Sequence, residues 1–175
     1  NVELYVFFGL TPTFPNANLR HYSFMLKGLK ETESKLRGLS IPFFLRLGNP
    51  DEELSDFLRE KDCGMLVSDF SPMRIKKEWN KNILKNIDIP FHEVDAHNIV
   101  PCWVTSAKQE FAARTIRPKI HKNLLEFCTE YDTPKNMKQE LNTRIDWNDI
   151  LKKLEVDSCV KEVDWIPPGE NAAFD

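Results

Sequence analysis

The sequence contains few glycines, and none of them lie close together. The six glycines occupy positions 9, 28, 38, 48, 64 and 169, so neither G-x-G-x-x-G nor G-x-x-x-x-G-K is present. A phosphate-binding loop needs closely spaced glycines because its backbone must approach the ligand. The spacing therefore argues against a standard dinucleotide-binding or P-loop site.

Paired cysteines and long apolar runs are also missing. Cys63, Cys102, Cys128 and Cys159 are scattered and form no C-x-x-C pair, which argues against a zinc ribbon. No apolar stretch approaches the roughly 18 residues of a transmembrane helix, so we expect no membrane association. Scattered single cysteines are typical of reduced thiols. We therefore expect an intracellular protein, which the sequence assigns to neither nucleus nor cytoplasm.

The composition that remains is that of an ordinary globular domain. The 175 residues are 41% hydrophobic and 29% charged, which fits one domain with a core and a tail. The chain begins with Asn1 rather than Met, and the strand-like run VELYVFF follows at once. We therefore expect that it begins inside a longer protein.

Charge is distributed unevenly along the chain. The formal net charge is −3, which argues against a dedicated nucleic-acid binder, yet residues 105–125 carry five basic residues and one acidic residue. This block includes Lys108, Arg114, Arg117 and Lys119. Two interpretations stay open for it: contact with phosphate, or a solvated or intrachain ion-pairing face. For Arg114, Arg117 and Lys119 we favour bracing of an interdomain junction over contact with DNA, because ARTIRPKI follows the last predicted strand.

Apolar strand-like runs alternate with helical patterns. Runs at 2–8, 41–47, 64–70 and 89–95 predict strands, and helical spacing predicts helices over 19–39, from Pro50 onward and around Trp79. Asn18 is the expected N-cap of the first helix. Two further helices are predicted over 107–115 and 117–131. The order predicts an α/β fold, a three-layer domain with a mainly parallel sheet of at least four strands.

Polar residues follow the predicted strands, where parallel sheets place their binding sites. The candidates at these carboxyl ends are Gly9, Thr11, Asp69, Ser71, Arg74, Asp95 and Asn98. Ser71 has a second interpretation, the capping of the helix that begins near Pro72.

The stretch EVDAHNIVPCWV collects several reactive residue types. Asp95, His97 and Cys102 suggest a zinc site or a Cys/His nucleophile, but no helical zinc spacing and no second nearby cysteine supports a metal site. We favour a turn after a strand, in which Asp95 and Asn98 bond the backbone and Trp103 packs. We therefore predict no metal site and no catalytic residue in this chain.

Three stretches carry a resemblance: VSDFSPMR, VDAHNIVPCWVTSAKQEFAARTIRPKIH and FMLKGLKETE. They resemble the amino-terminal domain of class II cyclobutane-pyrimidine-dimer DNA photolyases, in the cryptochrome/photolyase family. The resemblance implies a Rossmann-like antenna domain over residues 1–131, without the first strand of the family. Residues 132–175 would then form an interdomain linker toward a helical FAD-binding domain beyond this chain.

The resemblance also implies a function. The family repairs pyrimidine dimers in DNA by light-driven electron transfer from reduced FAD, and this chain would supply the antenna and docking part and be inactive alone. The expected partners are UV-damaged DNA and the FAD domain. Some members hold a deazaflavin-type antenna pigment, for which the seven strand-end residues are the candidates. A stand-alone α/β module that binds a nucleotide or flavin is the alternative, and an interaction domain without a ligand is a third.

Overall fold

The computed structural model describes residues 2–132 and 134–174. The elements are, in chain order, β1 (Val6–Leu10), α1 (Leu19–Gly38), β2 (Phe43–Leu47), α2 (Pro50–Glu60), β3 (Leu66–Asp69), α3 (Arg74–Asn86), β4 (Phe91–Val94), α4 (Cys102–Thr105), α5 (Ala113–Phe127), α6 (Trp147–Lys153) and α7 (Glu170–Phe174). The predicted α/β alternation is confirmed. The described residues form two compact units: a first unit of residues 2–54 with 134–174, and a second unit of residues 55–132.

The strands pair in parallel, as the sequence predicts. Within the first unit β1 pairs with β2, from Val6 opposite Phe43 to Leu10 opposite Leu47. Within the second unit β3 pairs with β4. The expectation of one sheet with at least four strands is corrected, because the ladders of the described residues form two separate two-stranded sheets. Apolar runs identify strands, but ladder hydrogen bonds decide which strands are neighbours.

Helix α1 begins where the sequence predicts. The Asn18 side chain accepts a hydrogen bond from the Arg20 N–H at 3.2 Å, and His21 Nδ1 accepts from the Asn18 N–H, which completes a capping box. The inner face of the helix buries Tyr22 and Leu26 against Leu10. The N-terminal cap and this apolar face together fix the helix on the first unit.

The last forty residues contribute to the core of the first unit. Leu154 is only 4% exposed and belongs to the same cluster as Leu10, Tyr22 and Leu26. Trp147 of α6 stacks on Phe43, with ring centres 6.4 Å apart. The predicted boundary between a domain of residues 1–131 and a linker of residues 132–175 stays a prediction. Residues 134–174 belong to the same compact unit as residues 2–54.

Helices of the second unit differ from the prediction in one place. Residues 107–112 are not helical, and a single helix, α5, runs through Pro118. The predicted pair of helices over 107–115 and 117–131 was therefore wrong. Pro118 cannot donate to the Arg114 carbonyl and its ring crowds that carbonyl, yet the helix continues on both sides of it. None of the described helices has the length and apolar composition needed to span a lipid bilayer.

Truncation of Leu154 tests the role of the C-terminal segment. We expect Leu154→Ala to lower the free energy of unfolding by about 2–4 kcal/mol, because it leaves a cavity in the core of the first unit. Chemical denaturation gives the value. Leu125→Ala is the control, since this side chain is 92% exposed and its loss changes stability by about 0.5 kcal/mol at most. Equal effects of both substitutions would refute the role of Leu154.

Candidate functional site

The end of β1 holds two of the predicted site residues, Gly9 and Thr11, in structural contacts. A Cβ atom on Gly9 would lie 2.8 Å from Cβ of Pro50, so only glycine allows α2 to begin this close to the strand. The Thr11 carbonyl accepts a hydrogen bond from the Tyr22 hydroxyl at 2.7 Å. Its own hydroxyl lies 3.3 Å from that of Thr13. Both positions therefore secure packing in the first unit.

The ends of β3 and β4 bring the other five predicted residues to one edge of a sheet. Asp69 is the last residue of β3 and lies opposite Val94 of β4, so Ser71 and Arg74 follow one strand where Asp95 and Asn98 follow its parallel neighbour. This placement within the second unit is the one that the sequence predicts. The sequence-based set of seven is thus divided between the two units, two residues in the first and five in the second.

Ser71 does not cap α3, contrary to its second interpretation. Its hydroxyl accepts a hydrogen bond from the Met73 N–H at 3.4 Å, and no side chain caps the helix from its N-cap position, Met73. The bonded N–H lies before the first helical residue, so Ser71 shapes the turn rather than the helix end. Asp69 and Arg74, on either side of this turn, are exposed.

Asp95 is the centre of the turn that follows β4. Its side chain is buried, at 6% exposure, and its carboxylate accepts hydrogen bonds from the backbone N–H groups of His97 and Asn98 at 3.2 Å and of Cys102 at 2.9 Å. The Asn98 side-chain amide donates to both carboxylate oxygens. These are the contacts of a turn closed by a carboxylate. Asp95 and Asn98 are engaged with each other and with the backbone.

Electrostatics in this turn favour a structural role as well. Burial alone would raise the pKa of Asp95, but hydrogen bonds from Asn98 and from the Cys102 and His97 backbone outweigh it and hold the pKa below its ordinary value. Partial desolvation and the hydrogen-bonded Asp95 carboxylate raise the pKa of the Cys102 thiol, although the residue is exposed. A raised pKa disfavours the thiolate that nucleophilic chemistry requires.

An aromatic contact ties this turn to the end of β3. The rings of Phe70 and Trp103 meet edge to face, with centres 5.3 Å apart. The Phe70 N–H also donates to the Val94 carbonyl at 2.9 Å. The predicted packing role of Trp103 therefore has a defined partner, and the runs SDFSP and VDAHNIVPCW form one local structure.

Lys119 of the basic block has an intrachain partner. Its ammonium group forms an ion pair with Glu110, whose side chain is 8% exposed, and donates to the Ser106 hydroxyl at 2.9 Å. Hydrogen bonds from Lys119, Ser106 and Thr115 lower the pKa of Glu110 to about 2. Glu110 is not among the residues predicted from the sequence, and its only signal is that it is the one acidic residue in the block.

The other basic residues predicted in this block remain on the surface. Lys108, Arg114 and Arg117 are exposed, and the part of the chain that the structure describes gives them no ion pair. The assignment of these three side chains to DNA or to an interdomain junction stays a prediction. Sequence reasoning also overlooked α3, where five basic side chains occur in thirteen residues.

Two βαβ arrangements with polar turns at their strand ends define an α/β domain, and comparison with known proteins identifies its family. The DNA photolyase family model matches residues 1–137. The chain therefore belongs to the DNA photolyase family.

Curated relatives with the name deoxyribodipyrimidine photo-lyase match most of the chain. The protein from Potorous tridactylus is 45% identical over 96% of this chain and 32% of its own length. The protein from Arabidopsis thaliana is 37% identical over the whole chain and 37% of its own length. The protein from Oryza sativa subsp. japonica is 33% identical over 94% of this chain and 34% of its own length. The chain thus spans about a third of the length of these relatives.

Replacement of the buried carboxylate tests the turn after β4. We expect Asp95→Asn to lower the free energy of unfolding by about 1–3 kcal/mol, because an amide nitrogen would face N–H donors and leave one of them unsatisfied. Thermal or chemical unfolding measures the change. The exposed Asp88 offers a matched control as Asp88→Asn, for which we expect almost no change. A similar small effect at both positions would show that the turn does not depend on Asp95.

The lowered pKa of Glu110 predicts how its contribution to stability varies with pH. A carboxylate with a depressed folded-state pKa stabilises the fold above its unfolded pKa and loses that effect as the pH falls toward the folded value. The stability difference between wild type and Glu110→Gln should therefore be constant above about pH 5.5 and shrink from pH 4.5 toward 2. Thermal unfolding across this range measures it.

The exposed Glu126 of α5 provides the control for that experiment. Glu126→Gln should leave the same curve almost unchanged, because the described residues give this carboxylate no ion pair. A wild-type advantage over Glu110→Gln that persists undiminished at pH 2.5 would contradict the assignment.

Proposed function

We propose that this chain is the amino-terminal α/β part of a deoxyribodipyrimidine photo-lyase, an enzyme that repairs cyclobutane pyrimidine dimers in DNA by light-driven electron transfer from reduced FAD. The observation that carries the proposal is the 45% identity, over 96% of the chain, to a protein of that name. The run VDAHNIVPCWVTSAKQEFAARTIRPKIH supports the finer assignment to the class II enzymes, because that class carries a similar run.

This part of the enzyme serves as an antenna and docking domain rather than as the catalytic centre. The chain covers about a third of the length of its relatives, and the remaining two thirds leave room for a helical domain that binds FAD and the lesion. The most reactive-looking stretch of the chain supports this division. Asp95 and Asn98 satisfy each other and the turn, and the pKa of Cys102 is raised rather than lowered.

An antenna pigment, if the enzyme carries one, binds in the second unit, at the carboxyl ends of β3 and β4. Asp69 and Arg74 support this placement, because both are exposed at the carboxyl end of β3 and have no described ion pair. Asp95 and Asn98 would contribute through the shape of the turn, since their polar atoms are already bonded. Gly9 and Thr11 lie in the first unit, where they secure packing, and their part in pigment binding stays a prediction.

A repair assay tests the proposed function. The full-length protein that contains this sequence, supplied with reduced FAD, should remove the dimer from an oligonucleotide with one thymine dimer under near-UV or blue light and not in the dark. The isolated 175-residue chain should give no repair under the same conditions, because the flavin and lesion sites lie outside it. Liquid chromatography of the oligonucleotide measures the dimer content.

Three outcomes of that assay are informative. Absence of light-dependent repair by the full-length protein would refute the proposal. Repair by the 175-residue chain would refute the division of roles between the domains. Tight binding of flavin by this chain without repair would favour the alternative, a stand-alone α/β module that binds a nucleotide or flavin, and the absorbance spectrum of the purified chain reports it.

A further inference from the structure

The outer face of α3 carries a row of positive charges. The helix holds five basic side chains and one acidic side chain, and four of the basic ones, at spacings of three, four and four residues, lie on one face: Arg74, Lys77, Lys81 and Lys85. We call this row the cationic stripe. At about 1.5 Å of rise per residue, it extends for roughly 16 Å along the helix. The fifth basic residue, Lys76, is directed elsewhere, because its ammonium group lies 4.8 Å from the ring centre of Trp79.

The charges of the cationic stripe are not neutralised within the described part of the chain. All four side chains are exposed, and none of them forms an ion pair there. Lys85 donates to the neutral amide oxygen of Asn82 at 3.2 Å, which leaves its charge uncompensated. Glu78 lies on the same face and reduces the net charge of that face to +3. A concentrated positive potential therefore faces the solvent along α3.

Helix α1 shows the opposite arrangement of surface charge. Lys27 pairs with Glu162 at 2.6 Å, and Lys35 pairs with both Glu31 and Glu170. Intrachain carboxylates thus neutralise Lys27 and Lys35 of α1. The contrast lies in the arrangement: α3 presents four exposed cations without a described ion pair in one row.

The inner face of α3 holds the cationic stripe in a fixed position. Ile83 is 4% exposed, and Ile75 and Trp79 are half-buried on the same side. The Asn80 amide also donates to the Glu93 carboxylate of β4 at 2.8 Å. The four cations therefore form a row on a helix anchored to its sheet, and binding a rigid partner orders only their side chains.

We infer that the cationic stripe binds the phosphate backbone of duplex DNA without reading its sequence. Along the duplex axis, its length corresponds to the rise of about five nucleotides of one strand, at roughly 3.4 Å per nucleotide. Exposed lysine and arginine side chains bind phosphates in this way and release condensed counterions. The inference rests on the proposed function, which supplies DNA as the substrate. The cationic stripe adds a second basic surface to the block of residues 105–125. In that block Glu110 already neutralises Lys119.

Binding of an undamaged 30-base-pair duplex to the 175-residue chain tests the inference. Fluorescence anisotropy across a series of salt concentrations should give a log–log slope of about −3 to −4 if the four cations each contact a phosphate. In Lys77→Gln/Lys81→Gln the slope should flatten by about two, and binding at low salt should weaken about tenfold. Lys77→Arg/Lys81→Arg retains the charge and should retain the slope.

A matched control tests whether the loss of binding depends on the position of the cationic stripe or only on the net charge of the chain. Lys30→Gln/Lys152→Gln makes the same change in charge at two exposed lysines of the first unit that have no described ion pair, and it should leave the slope unchanged. Circular dichroism and thermal unfolding confirm that each variant is folded. A wild-type chain that binds no duplex, or equal losses in the stripe and control variants, would overturn the inference.

Two further measurements are needed. The first tests whether the partner is DNA or an acidic protein, and the second tests the proposed function independently of the cationic stripe. Tighter binding of polyglutamate than of duplex, lost in Lys77→Gln/Lys81→Gln, would identify an acidic protein surface as the partner and overturn binding to DNA. Light-driven repair by the full-length protein is measured separately. If the full-length wild type repairs normally but Lys77→Gln/Lys81→Gln leaves the salt slope unchanged, only the inference about the cationic stripe is rejected. Absence of repair by the full-length wild type rejects the proposed function.

Discussion

Both units of this protein depend on one constraint, which is that two parallel strands cannot be joined by a tight turn. The chain must return to the starting end of the sheet, and it does so through a helix. In the first unit α1 connects β1 to β2, and in the second unit α3 connects β3 to β4. Helix α1 buries one face against Leu10 of β1, and α3 is bonded to β4 through Asn80 and Glu93.

The two crossover helices use their outer faces differently. Along α1, the C-terminal segment supplies carboxylates to Lys27 and Lys35 and places Leu154 in the core. Along α3, the described residues supply no such carboxylates, and the cationic stripe remains exposed. The same local pattern, an amphipathic basic helix, thus serves packing in one unit and is available for a partner in the other.

The stretch that most resembles the photolyase family turns out to be structural in its contacts. Asp95 gathers backbone N–H groups of the turn, and Phe70 and Trp103 join that turn to the neighbouring strand end. A run of this kind identifies a family because the geometry demands particular side chains, and it does not require that they perform chemistry. A fold alone does not establish a function, and the proposed function rests on the similarity to the relatives.

The sequence by itself determined the features that depend on a few neighbouring residues. Asn18 and the apolar spacing after it determined where α1 begins, Pro50 marked the start of α2, and the strand ends placed Asp69, Ser71 and Arg74 beside Asp95 and Asn98. Caps, periodicity and strand direction are encoded within one or two turns of chain, so these predictions needed no knowledge of distant contacts.

Only the tertiary structure decided the features that join distant residues. It divided the four strands into two sheets, continued α5 through Pro118, and brought Glu162 to Lys27 from 135 residues away. It also paired Lys119 with Glu110 and left the four cations of the cationic stripe without an ion pair among the described residues. Strand neighbours and ion pairs depend on which surfaces meet after the chain has folded. Local sequence patterns do not predict which surfaces these are.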